Sequence, residues 1–166
     1  MPRAATAESL VAALQAEGAQ YELLGMLHPH DYYGPHYAED LAWASTYDSE
    51  AQAFGKASHY IRAEDTAKLL DDGKQYKRTL NIPMRAALVR MTTTTDAMLK
   101  QWLAAPDECT TAERQALAVD EFNYCRNGSA AQPEVLQIVH DLPLTQAGVS
   151  FSDDLAPLAE GMAPAA

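Results

Sequence analysis

The sequence predicts an all-α or nearly all-α fold, an irregular bundle of about six to seven short helices with at most one or two short strands. Two observations lead to this prediction. Apolar side chains recur at spacings of three and four residues along most of the chain, as on the buried face of a helix. Residues that begin helices (threonine, proline) and residues that end them (glycine, proline) separate these stretches.

The first predicted helix begins after Thr6 and ends near Gly18. Its buried face carries Leu10, Val11 and Leu14. The apolar stretch that follows, residues 21–27, is too short to distinguish a second short helix from a buried strand. Both interpretations stay open for this stretch.

In the middle of the chain, residues 38–54 are predicted to form a helix that ends at Gly55. The apolar stripe of this helix consists of Leu41, Ala44, Tyr47, Ala51 and Phe54. Residues 58–61 tolerate a strand, but no partner strand is evident in the sequence. Residues 62–72 and 81–91 are predicted to form two further helices.

Three more helices are predicted in the last part of the chain, over residues 95–103, 110–127 and 133–142. Their boundaries are set by Thr95, Pro106, Asn127, Gly128, Pro133 and Pro143. The strongest local signal is the spacing of Thr110 and Glu113, because two such side chains can each satisfy a free amide at a helix start.

The length of 166 residues suits a single helical domain, which we place at residues 1–150. Residues 151–166 form an acidic tail rich in alanine and proline. No apolar run approaches the roughly 20 residues that a membrane-spanning helix needs. The first residues lack the apolar run of a secretion signal. We therefore expect a soluble, cytoplasmic protein that does not bind membranes.

The formal net charge of −11 argues against nucleic acid as a partner, because DNA and RNA present negative phosphates. The charge is unevenly distributed: residues 1–55 carry −7, residues 56–100 carry +4 and residues 101–166 carry −8. The middle segment includes a basic cluster at residues 74–78. Such a chain can pair its own segments or present one basic patch on an acidic surface, and a third, more ordinary interpretation is a solvated surface of mixed charge.

Residues 27–37, which we call the Tyr/His segment, are the main candidate for a functional site. Three histidines, His28, His30 and His36, occur in this proline-bounded loop. Neutral imidazoles bind transition metals, and three protein ligands with one open position are common in catalytic sites. The segment therefore predicts a metal site for zinc or iron, with these histidines as ligands.

The same segment also suits recognition of a protein. Aromatic residues supply rigid contact area, and Tyr32, Tyr33, Tyr37 and Trp43 are the predicted binding residues. No complete catalytic constellation is present, so no catalytic residue is assigned. We expect a small acidic binding or assembly protein that contacts a protein partner, or a second copy of itself, through this segment and the acidic tail. The alternative is a metal-dependent enzyme that uses the three histidines.

Overall fold

A computed structural model describes residues 6–18, 20–71, 73–107, 109–110 and 115–140. The fold is mixed α/β, so the predicted all-α fold and its helical bundle are wrong. The helices are α1 (Ala7–Gly18), α2 (Tyr37–Tyr47), α3 (Asp96–Ala104) and α4 (Pro133–Leu136). The strands are β1 (Leu23–Gly25), β2 (Tyr32–Tyr33), β3 (Ala53–Gly55), β4 (His59–Ala63), β5 (Thr66–Leu70), β6 (Lys77–Thr79), β7 (Asn81–Ile82), β8 (Ala87–Arg90), β9 (Cys109–Thr110), β10 (Ala116–Ala118) and β11 (Tyr124–Arg126). Two 3-10 segments, Met84–Ala86 and Met91–Thr93, flank β8.

The strands form two mixed sheets and one small pair. The larger sheet has the order β1-β8-β3-β10-β6, in which only β3 and β10 run parallel. The second sheet has the order β2-β11-β4-β5, with β11 parallel to β4. Strands β7 and β9 form the antiparallel pair.

Helices cover both faces of the larger sheet. Alternate strand residues point to opposite faces, so each strand contributes to two cores. The core under α1 and α3 contains Val11, Leu99 and Trp102 with Ala53, Ala87, Val89, Ala116 and Ala118. The core under α2 contains Leu41 and Ala44 with Phe54, and Leu23, Leu88 and Leu117 pack against it. The strand residues that face α1 and α3 are mostly alanines, so these helices can lie close to the sheet. The strand residues that face α2 are larger and fill the space under that helix.

Two predicted helices are confirmed, those over residues 6–18 and 95–103. Thr95 caps the second of these, since its Oγ1 accepts a hydrogen bond from the Met98 amide at 3.3 Å. Pro133 begins α4, but this helix has only four residues. The predicted helix over residues 38–54 ends at Tyr47 and its last part forms β3.

Three other predicted helices are wrong. Residues 62–70 belong to the β4–β5 hairpin, which also supplies the missing partner of the strand suspected at 58–61. Residues 81–91 form β7, a 3-10 turn and β8. Residues 115–127 form β10 and β11. Strands β10 and β11 have only three residues each and are mostly buried, so they show no alternation in the sequence and their apolar residues combine with neighbouring ones into helix-like spacings.

Residues 111–114, which include Glu113, and the tail at 151–166 lie outside the described residues. None of the helices in the described ranges combines the length and apolar character required to cross a membrane.

Candidate functional site

The Tyr/His segment connects β1 to α2 and contains β2. Arg85 holds the segment in place by hydrogen bonds to Asp31. The Nε and Nη2 atoms of Arg85 each donate to one carboxylate oxygen of Asp31, both at 2.6 Å. Asp31 also accepts hydrogen bonds from the Tyr124 hydroxyl at 2.8 Å and the Asn127 amide at 2.9 Å. Burial alone would lower the pKa of Arg85, but the bonds to Asp31 and Asp107 reverse this and raise the pKa above its usual value.

Two of the predicted binding residues are part of this internal network. Tyr33 accepts a hydrogen bond from the His28 amide at 2.8 Å and donates one to the Arg85 carbonyl at 2.9 Å. The Tyr37 ring is buried and packs edge-on against Tyr33, with centroids 4.9 Å apart. Burial raises the pKa of Tyr33 to about 12, and it also raises the pKa of Tyr37. These two tyrosines therefore stabilise the fold and present little surface to a partner.

The remaining tyrosine of the predicted binding set, Tyr32, is half-buried. Its ring stacks on His140 with centroids 5.6 Å apart, and its hydroxyl hydrogen-bonds with Nε2 of the same residue. Trp43 differs from all three tyrosines, because 58% of its surface is exposed. Of the four predicted binding residues, Trp43 is the most exposed.

Two of the three predicted metal ligands, His28 and His30, are close neighbours. Nδ1 of His28 lies 2.6 Å from Nη2 of Arg85, and its ring is 5.4 Å from that of His30. His36 instead lies 3.4 Å from the carboxylate of Glu39. Across the part of the chain that the structure describes, no group of three or more His, Cys, Asp or Glu side chains is placed to hold a metal ion.

A groove of about 400 Å³ beside α2 contains three exposed aromatic side chains. Trp43 and Tyr47 come from α2, and Tyr76 comes from the turn before β6. Tyr47 is 83% exposed and Tyr76 is 74% exposed. The assignment of Tyr47 to the buried stripe of its helix is therefore wrong. We call this surface the aromatic groove. Its other lining residues are Asp40, Ala44, Leu117, Ala118, Val119 and Asp120.

The two carboxylates of the groove, Asp40 and Asp120, form an ion cluster with a buried lysine. Lys56 is completely buried, and its Nζ lies 2.6 Å from Asp120 Oδ1 and 3.6 Å from Asp40 Oδ2. Asn123 donates to the same Asp40 oxygen at 3.1 Å. Two carboxylates and one ammonium group leave the cluster with a net charge of −1. Because Lys56 contacts both carboxylates, it holds Asp120, which follows β10, close to Asp40 on α2.

The basic cluster at residues 74–78 borders the groove through Tyr76, yet its charges are engaged within the chain. Lys74 pairs with Asp71 at 3.0 Å, and Arg78 pairs with Asp48 at 2.6 Å. Lys77 donates to the Gly73 carbonyl at 2.8 Å. Arg78 thus pairs with an acidic residue of the first charge segment, whereas Lys74 pairs with an acidic residue of its own segment.

Part of the groove has a local signal in the sequence. Asp40, Trp43 and Tyr47 follow one another at spacings of three and four, which places them on one helix face. Lys56, Asp120 and Tyr76 come from distant parts of the chain and have no local signal. Sequence reasoning therefore predicts Trp43 as a binding residue and does not predict the other groove residues.

Similarity to known proteins adds no residue to this site. Comparison of the chain with protein-family models, with curated proteins and with solved structures finds no significant match. The chemistry of the groove is therefore inferred from its own side chains. These are three exposed aromatic rings and two carboxylates, which form a cluster of net negative charge with Lys56.

Proposed function

We propose that the protein is a binding protein that recognises a basic segment of a protein partner in the aromatic groove. The observation that supports this most is the exposure of Trp43, Tyr47 and Tyr76 around one concave surface. Large aromatic side chains gain nothing for folding when they face water, whereas they dominate the energy of binding interfaces. Their clustering in one groove is the expected arrangement of a contact site.

The charge of the groove favours a basic partner. None of the groove-lining side chains is basic, and the Asp40–Lys56–Asp120 cluster contributes a charge of −1. Aromatic faces attract cations, with tryptophan the strongest, and arginine also stacks on them. A lysine or arginine side chain of the partner would lie over the rings with its charged end toward the carboxylates. The overall charge of −11 favours the approach of the same partner.

The ion cluster suits this role because it is held in place before binding. Asp120 Oδ1 accepts from both Lys56 Nζ and the Phe122 amide, at 2.6 and 2.9 Å. Fixed carboxylates lose little freedom when a cation binds, so more of the interaction energy appears as affinity.

The test uses two peptides of equal length, one of alternating arginine and glycine and one in which citrulline replaces arginine. Citrulline keeps the shape of arginine and lacks its charge. By calorimetric titration we expect the arginine peptide to bind at least about tenfold more tightly, from cation–π and electrostatic attraction together. Equal affinity for the two peptides would contradict recognition of a cation.

Two variants separate the groove from attraction by the overall charge. Trp43→Ala removes a groove ring, while Tyr21→Ala removes an aromatic ring of similar exposure, 61%, that does not line the groove. Neither substitution changes the net charge. We expect Trp43→Ala to weaken binding of the arginine peptide about tenfold or more and Tyr21→Ala to leave it unchanged. If the two variants bind the peptide alike, the groove is not the site.

A further inference from the structure

The aromatic groove presents much more aromatic surface than carboxylate surface to a cation. Trp43, Tyr47 and Tyr76 are all more than half exposed. The side chains of Asp40 and Asp120 are only 25% and 19% exposed. A cation that enters the groove therefore contacts mainly aromatic rings, and the two carboxylates act on it mostly through their charge.

The carboxylate oxygens next to Lys56 already have hydrogen-bond donors. Asp120 Oδ1 accepts from Lys56 Nζ at 2.6 Å and from the Phe122 amide at 2.9 Å. Asp40 Oδ2 accepts from Asn123 at 3.1 Å and lies 3.6 Å from Lys56 Nζ. These two oxygens therefore contribute negative charge to the groove but little capacity for further hydrogen bonds.

Such a groove favours a cation that needs no hydrogen bonds. The ammonium group of an unmodified lysine has three N–H donors and is strongly hydrated, so replacing its water by ring faces costs free energy. Trimethylation keeps the positive charge and replaces all three N–H groups by methyl groups. The methyl groups need no acceptor, and they bury apolar surface against the rings while the charge is attracted to the ring faces.

We propose that the cation recognised in the aromatic groove is a trimethyllysine side chain in the basic segment of the protein partner. This inference rests on the binding function proposed above and names the residue that the groove selects. The trimethylammonium group contacts the rings of Trp43, Tyr47 and Tyr76, near the charges of Asp40 and Asp120. Methylation of the partner then controls its binding.

The test uses three glycine–serine peptides of equal length that differ in one central residue. This residue is lysine, trimethyllysine or a neutral analogue in which a tert-butyl group replaces the trimethylammonium group. The analogue keeps the shape of trimethyllysine and lacks its charge. By NMR titration of the ¹⁵N-labelled protein, we expect the trimethyllysine peptide to bind at least about fivefold more tightly than either of the other two.

The outcomes distinguish this inference from the proposed function. If lysine and trimethyllysine bind alike and the neutral analogue binds more weakly, the groove recognises a cation without regard to methylation, and only the inference is wrong. If the neutral analogue matches trimethyllysine, or if trimethyllysine does not bind saturably, the inference is also wrong. The arginine and citrulline peptides test the proposed function separately.

A free quaternary ammonium compound, choline, tests the source of the ligand. Choline lacks the lysine stem and the peptide backbone, so it should bind more weakly than the trimethyllysine peptide. Equal affinity for choline and the peptide would show that a small molecule, not a lysine side chain, is sufficient for recognition.

A matched pair of variants tests the contact with the rings. Trp43→Leu removes an aromatic face of the groove and keeps an apolar side chain, while Tyr21→Leu makes the same kind of change outside the groove. We expect Trp43→Leu to lower the affinity ratio of the trimethyllysine peptide to the neutral peptide about three- to tenfold, because leucine has no ring face to attract the cation. Tyr21→Leu should leave the ratio intact. An unchanged ratio in Trp43→Leu, with circular dichroism showing a folded protein, would overturn the inference.

Discussion

Arg85 and Asp31 are joined by two parallel hydrogen bonds of 2.6 Å across 54 residues of sequence. The Asp31 side chain is completely buried and that of Arg85 nearly so. Because both charges leave water on folding, the cost of desolvation offsets much of their attraction, so the intact pair adds little net stability. Here the pair fixes the Tyr/His segment, which would otherwise be a loop between β1 and α2.

Substitution of one partner of this pair should be costly. We expect Asp31→Asn to lower the free energy of unfolding by about 3 kcal/mol, because it leaves the buried Arg85 guanidinium without its main counter-charge. Asp107, 3.0 Å from Nη1 of Arg85, compensates in part. Urea unfolding followed by circular dichroism measures the effect. The matched control is Lys74→Met, which breaks an exposed pair with Asp71 and should cost less than about 1 kcal/mol. Similar costs for the two variants would show that burial does not govern the pair.

Two buried tyrosine hydroxyls provide a second matched comparison. The Tyr124 hydroxyl donates to Asp31 at 2.8 Å, whereas the Tyr37 hydroxyl has no hydrogen-bond partner among the described residues. We expect Tyr124→Phe to destabilise the protein by about 1.5–3 kcal/mol, because it removes a bond to a charged acceptor. Tyr37→Phe removes a hydroxyl that costs free energy to bury, so it should be neutral or stabilising. Thermal and urea unfolding of both variants test this. A large loss of stability in Tyr37→Phe would mean that its hydroxyl has a partner.

The helices that sequence reasoning found are those that local interactions determine. Helix α3 begins at Thr95, whose side chain caps it, and ends just before Pro106. Strand β10 is different. Its residues, Ala116, Leu117 and Ala118, favour helices by intrinsic propensity, yet β3 and β6 on either side hold them in a sheet. Alanine is useful there because one face of the strand lies closely under α1 and α3. At β10, long-range packing therefore overrides the local preference for a helix. A single sequence does not reveal that packing.

The same distinction between local and long-range interactions applies to the candidate site. Trp43 was predicted as a contact residue because an aromatic side chain near a proline-bounded loop suits recognition. Tyr33 and Tyr37 are predicted on the same grounds, but Tyr37 is buried and Tyr33 is partly buried, since Tyr124 and Arg85, both far along the chain, pack on them or bond to them. The Lys56–Asp120 pair spans 64 residues and has no sequence signal. Composition therefore predicts aromatic contact residues in this part of the chain, but only tertiary structure separates exposed from buried aromatic residues.

Two glycines should respond to alanine for different reasons. A Cβ at Gly55 would lie 2.5 Å from the Ala86 carbonyl oxygen and 2.9 Å from Ala87 Cα, so backbone must move. We expect Gly55→Ala to cost about 2–3 kcal/mol through overpacking between β3 and β8. Gly73 has open space but a φ of +85°, and Gly73→Ala should cost about 1 kcal/mol through conformational strain.

A third variant separates these two causes by unfolding measurements. Asparagine tolerates positive φ better than alanine does, so Gly73→Asn should recover part of the stability that Gly73→Ala loses. At Gly55, where the cost is steric, Gly55→Asn should be worse than Gly55→Ala. The opposite order at either position would show that the assigned cause is wrong.

His59 should make stability depend on pH. It is buried against the Tyr124 ring, and neither of its ring nitrogens makes a well-formed hydrogen bond within the described residues. Burial lowers its pKa, and the charge of Arg126 acts in the same direction. The nearby backbone of Ala57 and Lys56 and the charge of Asp71 oppose the shift without cancelling it. The folded protein therefore keeps His59 neutral at a pH where the unfolded chain already protonates it.

The sign of the effect follows from this difference. The stability that neutral His59 contributes is fully present above its pKa in the unfolded chain, about 6.5. This contribution is lost as the pH falls from there toward the lowered pKa of the folded protein. We expect the free energy of unfolding to decrease with falling pH by at most about 1.4 kcal/mol per pH unit from this one group. His59→Phe, which keeps a ring against Tyr124, should reduce the slope between about pH 7.5 and pH 5.5. His30→Gln, a change at an exposed histidine, should leave the slope intact. Urea unfolding at a series of pH values decides between these outcomes, and equal slopes in the unaltered protein and His59→Phe would contradict the assignment.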